Sequence, residues 1–362
     1  GAAMSTPRSG LLLMLLGLSG CVVGFLLDPS TMMASYLAAA VALSAIPMGA
    51  LAVLMVTYLV RGAWTEELHD ALTAAALTLP AMGLLFVPVL TAVSWLYPWA
   101  ATGEHHGVLQ SVYLTPWFFI IRSLGYFAVW TALALWACAA FGDTERMTRA
   151  ATVGLIVYAL TASFAGIDWM ESLTPQMHSS IYGLLLISFQ LLAGFGFGAF
   201  MALRRGQPTR RYGEILLSLI LLWAYLHAMQ YIVIWAADIP DEVIWYLRRA
   251  SGGWAVVLWG LMLGQFVLPF FALLSERVRY GQRPLLWLCS AMLVLRLVEA
   301  FWLVMPGTQT GGWPLLLDIP AVTLVLAVVW SYAFWRVSSR NISPTAAASA
   351  AILSSESSSS SR

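Results

Sequence analysis

Charge is the scarcest property of this chain. Of its 362 residues only 10% are charged, while 60% are hydrophobic. Lysine is absent, so all 18 basic residues are arginine. Soluble domains carry about 25% charged residues, and a water-facing surface cannot be covered with so few. That excludes a soluble enzyme, a secreted disulfide domain and a nucleic-acid binder. A net charge of +1 implies no polyanionic partner. Cysteine is nearly missing too: Cys21, Cys138 and Cys289 lie far apart, each in an apolar run, and read as packed thiols. Of five histidines only His227 falls inside an apolar run. A b-type haem between helices needs two axial histidines at matched depth, so a cytochrome b is not expected. No glycine-rich phosphate loop and no H-E-x-x-H pattern occurs.

Apolar sequence takes the place of charge. Mean hydropathy is +0.82, and ten runs are long enough to cross a bilayer, which takes about 20 residues each. They are Gly10–Leu27, Met32–Val60, Ala71–Tyr97, Leu114–Phe141, Arg149–Phe164, Ser179–Leu203, Tyr212–Ala236, Ser251–Leu274, Pro284–Met305 and Trp313–Trp335. Without period-two alternation they are expected as helices, the form that satisfies every backbone amide in lipid. The fold expected is an all-α integral membrane protein. A segment 1–9 precedes a ten-helix transmembrane domain at 10–336, and an Ala/Ser-rich tail, 337–362, is expected to be disordered. The run into Leu18-Ser19-Gly20-Cys21 mimics a lipoprotein signal. Val22–Leu27 continue it, so it reads as an uncleaved span.

Arginine sets the orientation. One set of loops carries Arg8, Arg61, Arg146, Arg149, Arg204, Arg205, Arg210, Arg211, Arg277, Arg279, Arg283, Arg336 and Arg340; the other carries Arg248 and Arg249. By the positive-inside rule both termini are cytoplasmic and the Glu104-His105-His106 loop lies outside. Trp95, Tyr97, Trp99, Trp117, Trp245 and Tyr246 fit an interfacial aromatic belt.

Ionisable groups inside the runs ask for a partner or a role. Arg122 lies about two turns into the fourth run and calls for an acid from another span. Arg296 and Glu299 share a face of the ninth, and His227 and Tyr231 share a face of the seventh. Asp318 sits near the outer end of the tenth, and Asp168 just beyond the fifth. All fall in the outer half of the membrane. Arg296 and Glu299 are read equally as a structural ion pair or as proton-relay groups. Thr57, Gln190, Tyr225 and Gln265, scattered and uncharged, make the inner half poorer. A half-channel opening outward is the most this pattern supports.

Several segments together resemble the ActF membrane subunits of bacterial alternative complex III, a quinol:electron-acceptor oxidoreductase, within the NrfD and polysulfide-reductase superfamily. They are Ser35-Tyr36-Leu37, Thr78-Leu79-Pro80, Leu96-Tyr97-Pro98-Trp99, Tyr113-Leu114-Thr115, Phe118–Arg122 with Tyr126-Phe127, and Ile167–Met170 with Ser172-Leu173. The best stretch runs from Leu222–Leu226 through Gln230-Tyr231, Ile234-Trp235 and Ile239-Pro240 to Trp245–Arg249. The resemblance covers Ser35 to Trp335. Relatives commonly end the stretch after Asp168-Trp169 in an acid followed by Pro-His-Trp. Here it reads Glu171-Ser172-Leu173-Thr174-Pro175-Gln176-Met177, and Glu171 stands one turn away as a substitute.

The resemblance implies ten helices, eight of them in two parallel four-helix bundles with one helix flanking each side. It implies a cofactor-free subunit in the bacterial inner membrane that supports assembly and transfers protons through its outer half. Haem c and iron–sulfur clusters would sit in partner subunits, and quinol would be the substrate of the complex. Partners would be an ActC-like quinol-oxidising subunit, an iron–sulfur subunit, cytochrome c subunits, small single-span subunits and lipid. Proton-transfer candidates are Arg122, Asp168, Glu171, His227, Tyr231, Arg296, Glu299 and Asp318; no catalytic or metal-ligating residue is expected in the chain. A secondary transporter or channel, with Gly194, Gly196 and Gly198 able to break a helix, is the reading from another class. Direct quinol binding at His227 or Tyr231 is a further alternative within the complex.

Overall fold

The computed structural model describes residues 7–102, 112–174, 177–206, 211–238, 240–308, 318–319, 321–326 and 328. The Glu104-His105-His106 loop and the tail 337–362 lie outside them. Among the described residues the chain is helical, without strands. Eight segments are long and apolar enough to span a membrane: Pro29–Leu59, Ala63–Thr91, Pro116–Ala140, Thr144–Leu173, Tyr182–Arg204, Tyr212–Ala237, Gly252–Leu274 and Gln282–Gly307. This is a multi-pass, all-α membrane architecture. The first expected run forms helix α1, Pro7–Leu27, which is apolar but shorter over its described part. The tenth is described only in pieces, helical at 318–319, 321–326 and 328.

Local chemistry sets the helix ends. Helix α2, Pro29–Leu59, opens on Asp28, whose Oδ1 accepts from the Thr31 amide at 3.1 Å and whose Oδ2 accepts from its hydroxyl at 2.6 Å, with proline in the first turn. The second span is broken. Helix α3, Ala63–Ala76, gives way at Leu77-Thr78 to α4, Leu79–Thr91, with Pro80 in the first turn of α4. It therefore begins eight residues before the expected Ala71, and its polar first turns place His69 in a helix rather than a loop. The chain beyond Thr91 continues as the short helical turns Val93–Leu96 and Pro98–Thr102. Helix α5 is Pro116–Ala140. Helix α6, Thr144–Trp169, starts on the Asp143 cap, whose Oδ1 accepts from the amides of Glu145 and Arg146. It extends past the expected end at Phe164, so Asp168 lies inside the helix and not beyond it.

The second half repeats the plan. It contains α7, Tyr182–Arg204, α8, Tyr212–Ala237, and a connecting helix α9, Pro240–Arg249. Then come α10, Gly252–Leu261, a π-helical turn at Met262–Val267, α11, Leu268–Leu274, and α12, Gln282–Val304. Helix α7 runs unbroken through Gly194, Gly196 and Gly198. The irregular span is instead Gly252–Leu274, where Gln265 donates to the Leu295 carbonyl at 3.2 Å.

Helices α2 to α6, the first bundle, and α7, α8 and α10 to α12, the second, share one core, and α2 packs on α7 more extensively than on any helix of its own group. The bundles meet chiefly where α2 crosses α7. A methyl group on Gly49 would overlap the Gln190 carbonyl, and one on Gly194 would overlap the backbone at Gly49 and Ala50. Small residues thus let two backbones touch, the usual device for joining helices in lipid. Burial follows: 83% of the most apolar stretch of α2 is buried, against 22% in Gly252–Leu274.

A methyl on Gly17 of α1 would overlap the backbone of Leu324, so the described part of the tenth run lies beside α1. The aromatic belt is only partial. Trp95 and Trp117 are exposed, but Tyr97, Trp99 and Trp245 are buried. Tyr97 packs its ring against Trp99 and Phe119, and Trp245 packs against Trp302. Their area is better buried against protein, and the Tyr97 hydroxyl finds its acceptor in the Trp169 carbonyl at 3.0 Å.

Candidate functional site

The candidate residues gather into two ion pairs, one per bundle. In the first, Arg122 on α5 grips Asp168 on α6 with both ends of its fork. Nε and Nη2 donate to the two carboxylate oxygens at 2.9 Å each. Nη1 donates to the Tyr113 carbonyl at 2.9 Å, and the Tyr126 hydroxyl donates to Asp168 Oδ2 at 2.7 Å. The guanidinium also lies over the Tyr113 ring, 3.8 Å from its centroid. Asp168 is wholly buried. The acid that Arg122 called for is therefore Asp168, in bidentate geometry with further donors on the carboxylate.

The second pair sits on one helix. Arg296 Nη2 lies 2.8 Å from Glu299 Oε2 across one turn of α12, and both residues are buried. On the other oxygen, Trp223 of α8 donates its indole N–H to Oε1 at 2.9 Å, and His227 Nε2 stands 3.3 Å away. The Trp223 and His227 rings are 4.6 Å apart. The faces of Trp223 and Phe189 flank the Arg296 guanidinium at 4.9 and 5.3 Å. Yet Arg296 Nε, Nη1 and Nη2 and Glu299 Oε2 have no hydrogen-bond partner among the described residues. The 2.8 Å approach is a charge contact made off the N–H direction. Buried donors in such number are uncommon and call for an explanation.

The remaining candidates divide. Glu171 lies in the 3-10 turn Glu171–Leu173 after α6, where its Oε1 accepts from the Ser179 amide at 2.9 Å. It lines a cavity of about 120 Å³ with Tyr113, Leu114, Ile167, Met177 and His178. Tyr231 does not join His227. It stacks on Trp235 and meets Tyr246 edge-on at the second bundle's outer face. Asp318 makes its contact with Ser35 at the start of α2, away from both pairs.

Sequence reasoning passed over three buried groups. Arg249, at the end of α9, is 1% exposed. It stacks on Trp245 at 3.7 Å and donates to the carbonyls of Trp245 and Leu303. Burial pushes its guanidinium down to about 9, which leaves it cationic at neutral pH. Its signal was present: Arg248 and Arg249 were the exception to the arginine asymmetry. Tyr182 and Gln230 carried no such signal, since one tyrosine or glutamine in an apolar run is ordinary.

Compared with known proteins, the chain matches no family model, and it matches no curated protein.

Proposed function

We propose that this chain is a cofactor-free membrane subunit of a quinol-oxidising respiratory complex of the alternative complex III type, and that its second bundle carries protons. The residue segments from Ser35 to Trp335 support the family reading, as does a succession of apolar helices long enough to span a membrane. Electrons would be handled by iron–sulfur and cytochrome c subunits beside it, and quinol by an ActC-like subunit. Both termini would lie in the cytoplasm of a bacterial cell, by the distribution of arginine.

The observation that carries the proton role is the Arg296–Glu299 pair. A carboxylate held by one cation, one indole N–H and one histidine has in the imidazole a neighbour able to exchange a proton with it. His227 is also the member of this group that reaches the bundle's outer face, its side chain 21% exposed. Quinol oxidation releases protons, and such a group can accept and pass them. The competing role within the complex is scaffolding, in which buried polar groups only specify packing.

Purification of the native membrane assembly under mild detergent tests the family reading. Co-purification with haem-bearing and iron–sulfur subunits is the expected result. A chain that purifies alone, or that drives substrate flux by itself in liposomes, would overturn it in favour of a transporter.

A further inference from the structure

Around the cavity at Glu171 and the start of α7 lies a set of buried polar atoms without partners among the described residues. They are Tyr182 Oη, Gln230 Nε2, Arg249 Nε, Thr174 Oγ1 and Glu171 Oε2. The residues are 1–8% exposed. They lie close together. Tyr182, at the start of α7, is within electrostatic reach of Glu299, Arg249 and Glu171 at once. The Ser179 hydroxyl lies 3.5 Å from Gln230 Oε1, while the Ser179 amide donates to Glu171. The space beside Gly307 is bounded at 3.4 Å by both Arg249 Nη2 and Thr174 Oγ1.

The mixture of groups identifies what would satisfy them. Glu171 Oε2 accepts, Gln230 Nε2 and Arg249 Nε donate, and the Thr174 and Tyr182 hydroxyls do both. An anion would find no complement at Glu171, and a cation none at Arg249. Water complements all of them, since a buried water makes about three hydrogen bonds to otherwise unpaired groups. The adjoining cavity of about 120 Å³ has room for several waters, each needing at least roughly 10–15 Å³ of such space. The Nη atoms of Arg249 are already committed to the carbonyls that end α9 and α12. Its charge is therefore fixed in place.

We propose that a chain of ordered waters joins the Arg296–Glu299 pair to Glu171 by way of Tyr182, and opens into the cavity lined by Tyr113, Met177 and His178. This deepens the proton-carrying role and, as a path for protons, rests on it. A proton on Glu299 Oε2 passes to the first water, each O–H bond broken along the chain is matched by one formed, and Glu171 Oε2 takes the last. No electron moves.

X-ray hydroxyl-radical labelling of the purified assembly tests the waters without reference to turnover, because radicals form at bound water. Tyr182 is to be compared with Tyr158, equally buried but hydrogen-bonded to Gln190. The expected result is strong modification of Tyr182 with Tyr158 silent, and loss of Tyr182 labelling in Thr174→Val, a substitution of closely similar shape. Tyr182 as silent as Tyr158 in the wild-type protein would overturn the proposal, as would labelling unaffected by Thr174→Val. Labelled Tyr182 with a proton yield insensitive to Glu299→Gln would keep the waters and remove the respiratory proton role. Silent Tyr182 with a sensitive yield would do the reverse.

Discussion

In the first bundle Arg122 commits its donors to two Asp168 oxygens and the Tyr113 carbonyl, and Tyr126 adds a fourth hydrogen bond. In the second, Arg296 lies as close to its acid but leaves all three nitrogens without a hydrogen-bond partner among the described residues. The same charges thus sit in two different hydrogen-bonding environments. A carboxylate closed on every side holds α5 against α6 and has nothing left to exchange. A carboxylate approached by histidine and indole, beside an undersatisfied guanidinium, keeps sites for water. Burial alone does not distinguish them, since both acids are inaccessible; the count of satisfied donors does.

The comparison can be broken most sharply at the closed pair. Asp168→Ala leaves Arg122 buried without its acid and should cost about 3–5 kcal/mol, read by denaturant unfolding in detergent. Adding Arg122→Met should recover most of that loss. If the single substitution proves nearly neutral, Asp168 is not an anchor. At the open pair, Glu299→Gln keeps an acceptor for Trp223 but leaves buried Arg296 without its counter-charge, and should cost about 3 kcal/mol, the low end of what a stranded buried charge costs. A loss larger than that of Asp168→Ala would erase the distinction between the pairs. The joint between the bundles comes next. Gly194→Val forces the α2 and α7 backbones apart and should cost about 1–3 kcal/mol as overpacking, visible as a lower midpoint of thermal unfolding. The smallest effect belongs to the α2 cap: Asp28→Ala should cost about 1 kcal/mol, a baseline for substitutions that touch neither pair.

The membrane class was legible because hydrophobic runs and scarcity of charge are properties of composition. The i, i+3 spacing of Arg296 and Glu299 made their pairing legible as well. The Arg122–Asp168 contact was legible only as a demand for an acid, because spacing along one helix says nothing of its neighbour. Asp168 was placed just beyond a run that in fact continues through it, because polar residues near a helix end look like a loop. His227 and Tyr231 share a helical face yet meet different neighbours, since a shared face does not fix which way each ring turns. Arg249 was passed over because its value lies in the carbonyls of Trp245 and Leu303, and one of those comes from 54 residues away.

The most direct test of the account uses the native assembly in sealed vesicles, with proton release per quinol oxidised measured in the wild type and in Glu299→Gln. Continued electron transfer with a reduced proton yield is the predicted result. An undiminished yield at normal turnover would contradict it and leave the second pair, like the first, a fastening between helices.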